Sequence, residues 1–337
     1  MKRNIFIALA VLGATGTLWA QNETQALRYS MINPFGTARF AAQGGANAAL
    51  GGDLSAIYVN PAGLGMYRSA ELSFSPSLYW VNTESNYQGK HVDDSRLRFN
   101  VGSLGYVSTS RNQGSAIRAS FAIGYNTLAN FNQRMTLSSP EGAANSSMLD
   151  EFVWRANEDP ENLSPFYEQV AFDANLLPID ETGEHLNYIQ DGGYGQTNTR
   201  YVEQTGYIGE YSLSGALIFS DLLYFGATMG IHSLNFSEDI YHTETDPGAQ
   251  VANIDSYRFS ELNSTSGWGY TMRLGMIIRP MQLLRFGATF QLPTYYRLTD
   301  EKYTSAASSW DLSSGIVDAS ATSPVGYYDY KLKSPCA

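Results

Sequence analysis

Four histidines, His91, His185, His232 and His242, are the side chains here best suited to move protons near neutral pH. Acid–base or nucleophilic catalysis would need one of them beside a serine or carboxylate, with a third group to orient it. His91 and His185 fall in stretches that read as connections, and His242 at the end of one that reads as a strand. His232 shares a strand face with Thr228 and Gly230, which suits a hydrogen-bonding wall residue better than a base. The sequence holds no Gly-x-Ser-x-Gly elbow, CxxC, HExxH or P-loop. Its single cysteine, Cys336, excludes an intramolecular disulfide. No catalytic residue, cofactor or metal site is expected, and a net charge of −11 argues against a nucleic-acid partner.

A different chemistry, that of close packing and hydrogen bonding, is concentrated in Gly36–Leu64. The stretch is rich in glycine and alanine, carries only Arg39 and Asp53 as charges, and ends in Asn60-Pro61-Ala62-Gly63-Leu64. Five glycines between Gly36 and Gly52 disfavour a continuous helix, and so apolar a segment is a poor linker. Small, apolar and irregular, it is expected to pack inside something larger. Asn60 has two readings: a functional element of that packed segment, or a turn former before proline.

The elements that would hold it are strands. Ile117, Ala119, Phe121, Ile123 and Tyr125 alternate with Arg118, Ser120, Ala122, Gly124 and Asn126. Trp268, Tyr270, Met272, Leu274, Met276 and Ile278 alternate likewise with a set that includes Thr271, Arg273 and Gly275. Large apolar side chains thus occupy one face, and arginine, glycine, serine and threonine the other. That pattern suits lipid outside and a wet or narrow interior, whereas a dry sandwich would need a partner for each arginine. With 31 Gly, 23 Tyr and 16% charged residues, the chain reads as an all-β, transmembrane antiparallel β-barrel. Strands are predicted at 71–81, 96–108, 115–127, 206–219, 222–243, 257–280, 283–298 and 325–334. Short turns fall near 111–114, 220–221 and 280–282, and long connections at 82–95, 127–205, 244–256 and 299–324.

The 127–205 connection carries the helical signals. Ser147–Arg155 has apolar residues at helical spacing with Ser146 or Ser147 as N-cap, and Pro165–Leu176 is a second amphipathic segment. Phe152, Trp154, Phe166, Tyr167, Phe172 and Leu176 either capture an apolar ligand or simply pack these helices together. Between 128 and 204 there are thirteen acidic and three basic residues, so ten of the eleven net negative charges sit here. A solvated face explains them; a Ca²⁺ site near Asp180, Glu181 and Glu184 is the sharper alternative, without EF-hand spacing. Residues 1–20 read as a signal peptide: Lys2 and Arg3, the apolar run Ile5–Leu12, then a cleavage site after Ala20.

Asn60-Pro61-Ala62, preceded by Gly44-Gly45-Ala46-Asn47-Ala48-Ala49 and followed by the first strand, resembles the FadL/TodX family of outer-membrane transporters. A second block supports the resemblance: Gly267-Trp268-Gly269-Tyr270, Arg279-Pro280, Leu284–Ala288, Pro293–Tyr296 and Leu298-Thr299-Asp300. The family's fold implies a fourteen-stranded barrel with an N-terminal hatch, here 21–70, and a barrel over 71–337. About eight strands fit this chain, which implies a C-terminally truncated sequence. The resemblance implies passive uptake of long-chain fatty acids or other hydrophobic compounds by a monomeric barrel among the lipids of a Gram-negative outer membrane. The ligand would pass through an apolar pocket gated by the hatch. Asn60, Pro61 and Ala62 would be the hatch elements, with Phe35, Phe40, Ile57 and Tyr58 as plug contacts. An adhesin or receptor, and a general porin, are the competing readings.

Overall fold

The computed structural model describes residues 23–32, 35–110, 117–186, 194–246, 254–281, 283–312 and 315–334. The signal-peptide stretch, the 111–114 turn and Cys336 lie outside them. The short helix α1 (Glu23–Ser30) belongs to a separate unit that ends at Ile32. From Asn33 onward the chain forms one unit, mostly antiparallel β-sheet. Its first part holds α2 (Ala38–Ala42), α3 (Ala56–Val59) and a 3-10 turn, Pro61–Met66.

Eleven strands follow among the described residues: β1 (Glu71–Tyr87), β2 (Lys90–Thr109), β3 (Ile117–Asn130), β4 (Gln133–Ser138), β5 (Thr197–Phe219), β6 (Leu223–Thr245), β7 (Ile254–Met281), β8 (Leu284–Gln291), β9 (Tyr295–Leu312), β10 (Gly315–Thr322) and β11 (Gly326–Lys333). They occupy only eight places in the sheet. β3 and β4 both pair with β5, β8 and β9 both pair with β7, and β10 and β11 both pair with β9. The predicted 283–298 strand is thus two strands interrupted at 292–294, where Pro293 can donate no ladder hydrogen bond.

Three predicted connections are corrected. Residues 82–95 are a continuation of the β1–β2 hairpin, closed by Gln88 and Gly89 at φ 51° and 85°. Two positive φ angles give the turn twist that matches paired strands. Residues 299–324 are mostly β9 and β10, and the 127–205 connection shrinks to 139–196. The hairpin was hidden because both faces of 82–95 are mostly polar, so backbone pairing there leaves no period-two signal. Helices form in 139–196 as expected: α4 (Met148–Glu158) and α5 (Glu168–Asp173). Ser147 caps α4 in a capping box with Asp150.

The polarity of the sheet inverts along its strands. On β7, Trp268, Tyr270, Met272 and Leu274 are exposed, while Thr271 and Arg273 on the other face are buried. Nearer the 139–196 end of the same strand the pattern reverses: Tyr257 and Phe259 are buried and Arg258 is exposed. β6 behaves alike, with Phe225, Met229 and Ile231 exposed in one half, then Ser233, Asn235, Ser237 and Asp239 in the same alternation. One core therefore lies under α4 and α5, where Leu149, Phe152, Val170 and Leu176 meet Tyr257, Phe259 and Trp310. A second lies where Leu54, Ile57, Tyr58 and Leu64 meet Val107, Ala122 and Ala216.

Candidate functional site: a seated N-terminal segment and a buried ion cluster

The segment from Phe35 to Tyr67 lies against the buried face of β3, β5, β6 and β7 and touches β8 at Gly287. Its first attachment is to β3: the Phe35 amide donates to the Thr127 carbonyl and the Gly36 amide to Asn126 Oδ1, at 3.1 and 3.0 Å. Thr37 and Ser55 then close the segment on Asp53. The Thr37 hydroxyl donates to both Asp53 oxygens at 2.9 and 2.8 Å, and the Ser55 amide to one of them at 2.8 Å. Asp53, one of only two charges in the stretch, is buried and serves as its internal clamp.

Asn60-Pro61-Ala62 is the point of closest contact with the wall. Asn60 is fully buried, and its amide group donates to the carbonyls of Ala48, Met276 and Ala288 at 2.7, 3.2 and 3.3 Å. Its Oδ1 accepts from the Ala62 amide at 3.1 Å and so caps the 3-10 turn that Pro61 begins. One side chain thus ties the segment to itself and to two strands. The turn before proline is the reading that the geometry shows, and the same side chain anchors it to the strands. The wall makes room through glycine: Gly226 and Gly275 face each other across β6 and β7. A Cβ on Gly275 would stand 2.0 Å from Asn60 Oδ1, and one on Gly226 2.3 Å from the Ala62 nitrogen. Thr228 completes the seat by donating to the Ile57 carbonyl at 3.0 Å.

The other segment residues named from sequence take separate places. Ile57 and Tyr58 are buried against the backbone of Gly124, and Phe40 is buried beneath Gly36. Phe35 is half-buried, edge-on to Tyr79 at 6.1 Å between ring centres. An apolar recess of about 790 Å³ opens on the exposed face of the sheet, opposite the segment rather than beside it. Its floor is the backbone of Gly105, Gly124 and Gly230, and on the far side of the first two sit Leu54 and Ile57. The wall there is one backbone thick.

Next to Tyr58 along the buried face lies a cluster that sequence reading saw only in part. Arg273 grips Glu210 with both terminal nitrogens, at 2.6 and 2.7 Å, and its Nε donates to Gln291 at 3.0 Å. Ser212 donates to Glu210 at 2.7 Å. His232 Nε2 is 2.9 Å from Glu210 and Nδ1 is 2.6 Å from the Tyr296 hydroxyl. All bonds are satisfied if Nε2–H donates to the carboxylate and Nδ1 accepts from the tyrosine. Glu210 and His232 are fully buried and Arg273 nearly so. His232 is therefore a wall residue held on both nitrogens. Glu210 was missed: its shared face with Ser212 and Ser214 put it on the polar face of its strand, but only the register of β5, β6 and β7 brings it to Arg273.

The six aromatic and aliphatic residues of 139–196 divide. Phe152 and Leu176 are closed into the core under the helices. Tyr167 stacks on Phe259 at 6.2 Å, with Lys302 Nζ 4.2 Å from its ring centre. Phe172 is half-buried against His185, Phe166 covers Gly326, and Trp154 points away at 63% exposure. Glu244 anchors α4 by accepting from the Ser147 hydroxyl and the Met148 amide, both at 2.8 Å, and from Gln196 at 2.9 Å. Burial pushes the Glu244 carboxyl up, but the hydrogen bond and charge of His242 and the Met148 N–H outweigh it and hold the carboxyl below the usual glutamate range. Asp180 Oδ1 accepts from the Thr182 hydroxyl and from the amides of Thr182 and Glu184, a local turn that holds its carboxyl below the usual aspartate range. Among the described residues one trio, Glu84, His91 and Asp93, brings ligand atoms within 4.8 Å of one another, all exposed on the β1–β2 hairpin.

No protein-family model, curated protein or solved structure matches this chain.

Proposed function

We propose that this chain is the wall and hatch of an outer-membrane β-barrel that admits hydrophobic compounds, long-chain fatty acids among them. The observation that carries the reading is the inverted polarity of β6 and β7. A sheet surrounded by water has no reason to turn large apolar side chains outward over one half of a strand and serines over the other. A sheet that leaves hydrocarbon for water has that reason. From Trp268 to Ile278 the outward apolar row, exposed as far as Leu274 and half-buried at Met276 and Ile278, spans about 33 Å along the strand, or about 25 Å along the normal at the tilt usual for such walls. Trp268 and Tyr270 stand where polar residues take over, as interfacial aromatics do.

The seated segment favours a hydrophobic cargo over a water-filled pore. It fills the polar face with backbone, alanine and leucine, sealed by Asn60 and the facing glycines. Water gains no passage from such a filling, whereas an alkyl chain gains about 0.8 kcal/mol per CH₂ moved into apolar surroundings. Displacement of the segment would open the path, and the recess behind Gly105 and Gly124 offers the chain an apolar surface one backbone away.

Two measurements test the reading. Cells carrying the gene should take up labelled long-chain fatty acid faster than cells lacking it, and equal uptake would sink the transport assignment. Leu274→Lys, in the middle of the apolar row, should lower the stability of the protein folded into lipid vesicles by about 2–4 kcal/mol in urea titrations. Ser264→Lys, ten residues along on the same face, should change it by less than about 0.5 kcal/mol. Equal small effects at both sites would mean that water surrounds both.

A further inference from the structure

At the end of the sheet where β5 turns into β6, a cavity of about 1140 Å³ opens between the seated segment and the wall. Five of the chain's sixteen arginines line it: Arg39 and Arg68 from the segment, and Arg118, Arg279 and Arg285 from the wall. The one acid among its described lining residues is Asp221, paired with Arg118. A protein of net charge −11 thus concentrates a positive potential in one concavity. The ties on these arginines are few. Arg39 and Arg285 donate to the carbonyls of Gly52 and Leu50, at 3.4 and 2.9 Å, and carbonyls leave their charge uncompensated. The side chains of Arg68 and Arg279 have no hydrogen-bond or ion-pair partner among the described residues. Four guanidinium groups line one space, and among the described residues none of the four is paired with a carboxylate.

Beside the arginines the lining includes four apolar side chains: Leu50, Met66, Met281 and Leu283. Leu50, Met281 and Leu283 are exposed, Leu283 almost completely. We infer that this cavity binds the oxyanion head of an amphiphile, a carboxylate or a phosphate monoester, with its alkyl chain on those four side chains. Guanidinium groups match both heads through paired N–H donors, and a mixed wall discriminates against ions without a tail. The site does not rest on the transport reading. A chain that failed the uptake assay would still bind, and a transporter whose cavity failed the binding assay would still carry its cargo.

Equilibrium dialysis on the full chain in non-ionic micelles tests it, with dodecanoate, dodecyl phosphate, dodecanol and inorganic phosphate as probes. Dodecanoate or dodecyl phosphate should bind, weaken as NaCl is raised, and weaken at least tenfold in the Arg68→Gln/Arg279→Gln variant. Which of the two binds tighter distinguishes a fatty acid from a lipid headgroup. Asp221→Asn should tighten binding about threefold, because it removes the one opposing charge and frees Arg118; no misfolded variant gains affinity in this way. Binding of dodecanol equal to that of dodecanoate, or an unchanged double variant, overturns the site. Competition by inorganic phosphate as strong as by dodecyl phosphate overturns the assignment to an amphiphile.

Discussion

Valine at position 275 should unseat Asn60-Pro61-Ala62 while leaving the sheet paired. Gly275 has no side chain because Asn60 Oδ1 and Pro61 Cδ occupy the space a Cβ would take, at 2.0 and 2.8 Å. Neither can step aside. Asn60 is held to the carbonyls of Ala48, Met276 and Ala288, and Pro61 is fixed by its ring. Valine itself is well suited to a strand, so the strain falls on the segment. Overpacking of about 1–3 kcal/mol adds to the loss of three hydrogen bonds at about 1 kcal/mol each. Gly226→Val should act alike, since its Cβ would meet Pro61 and Ala62 backbone atoms at 2.2 and 2.3 Å. Gly215→Val is the control, with nothing nearer than 3.9 Å. With Cys336 changed to serine and Ala62 to cysteine, maleimide labelling should quicken at least tenfold in the 275 and 226 variants and stay unchanged in the 215 variant. Equal labelling in all three would mean that the motif does not depend on this seat.

Much of this seat was legible before any coordinates. The glycine and alanine content of 36–64 announced a segment made for close backbone approach, and Pro61 marked the end of its last regular turn. The partners were not legible. Gly226 and Gly275 lie on strands whose alternation was read, but only register sets them opposite each other and beneath Asn60. The same limit applies to the strands. Those with one apolar face, such as β3 and the lower half of β7, declared themselves by period two. The 82–95 hairpin and the 299–312 part of β9 did not, because polar residues on both faces carry no such signal and only backbone pairing defines them. Helix α4 was found from Ser147 and its apolar spacing, since a capping box is a local code. The division of its aromatics was not found. Phe152 and Trp154 look alike in sequence, and only the placement of Phe259 and Tyr257 above the polarity switch decides which is buried.

Glu210 shows what distance in sequence conceals, and it carries the second large effect expected. Glu210→Leu should destabilise the fold by about 3–5 kcal/mol in urea titrations, because it strands a buried guanidinium. Arg273 is 3% exposed, and without Glu210 it keeps only the bond to Gln291. His232 loses its carboxylate acceptor and Ser212 its partner in the same change. The loss measures a charge left unpaired rather than the net worth of the pair. Adding Arg273→Met removes that charge, and the Glu210→Leu/Arg273→Met protein should recover most of the stability, as buried ion pairs replaced by apolar groups of similar size often do. Arg273→Met alone should cost less than Glu210→Leu alone, since the carboxylate keeps its hydrogen bonds to Ser212 and His232. The coupling between the two positions should exceed about 2 kcal/mol, a size reserved for groups in direct contact. A double variant as unstable as the sum of the single ones would show that the cluster is not a closed charge pair.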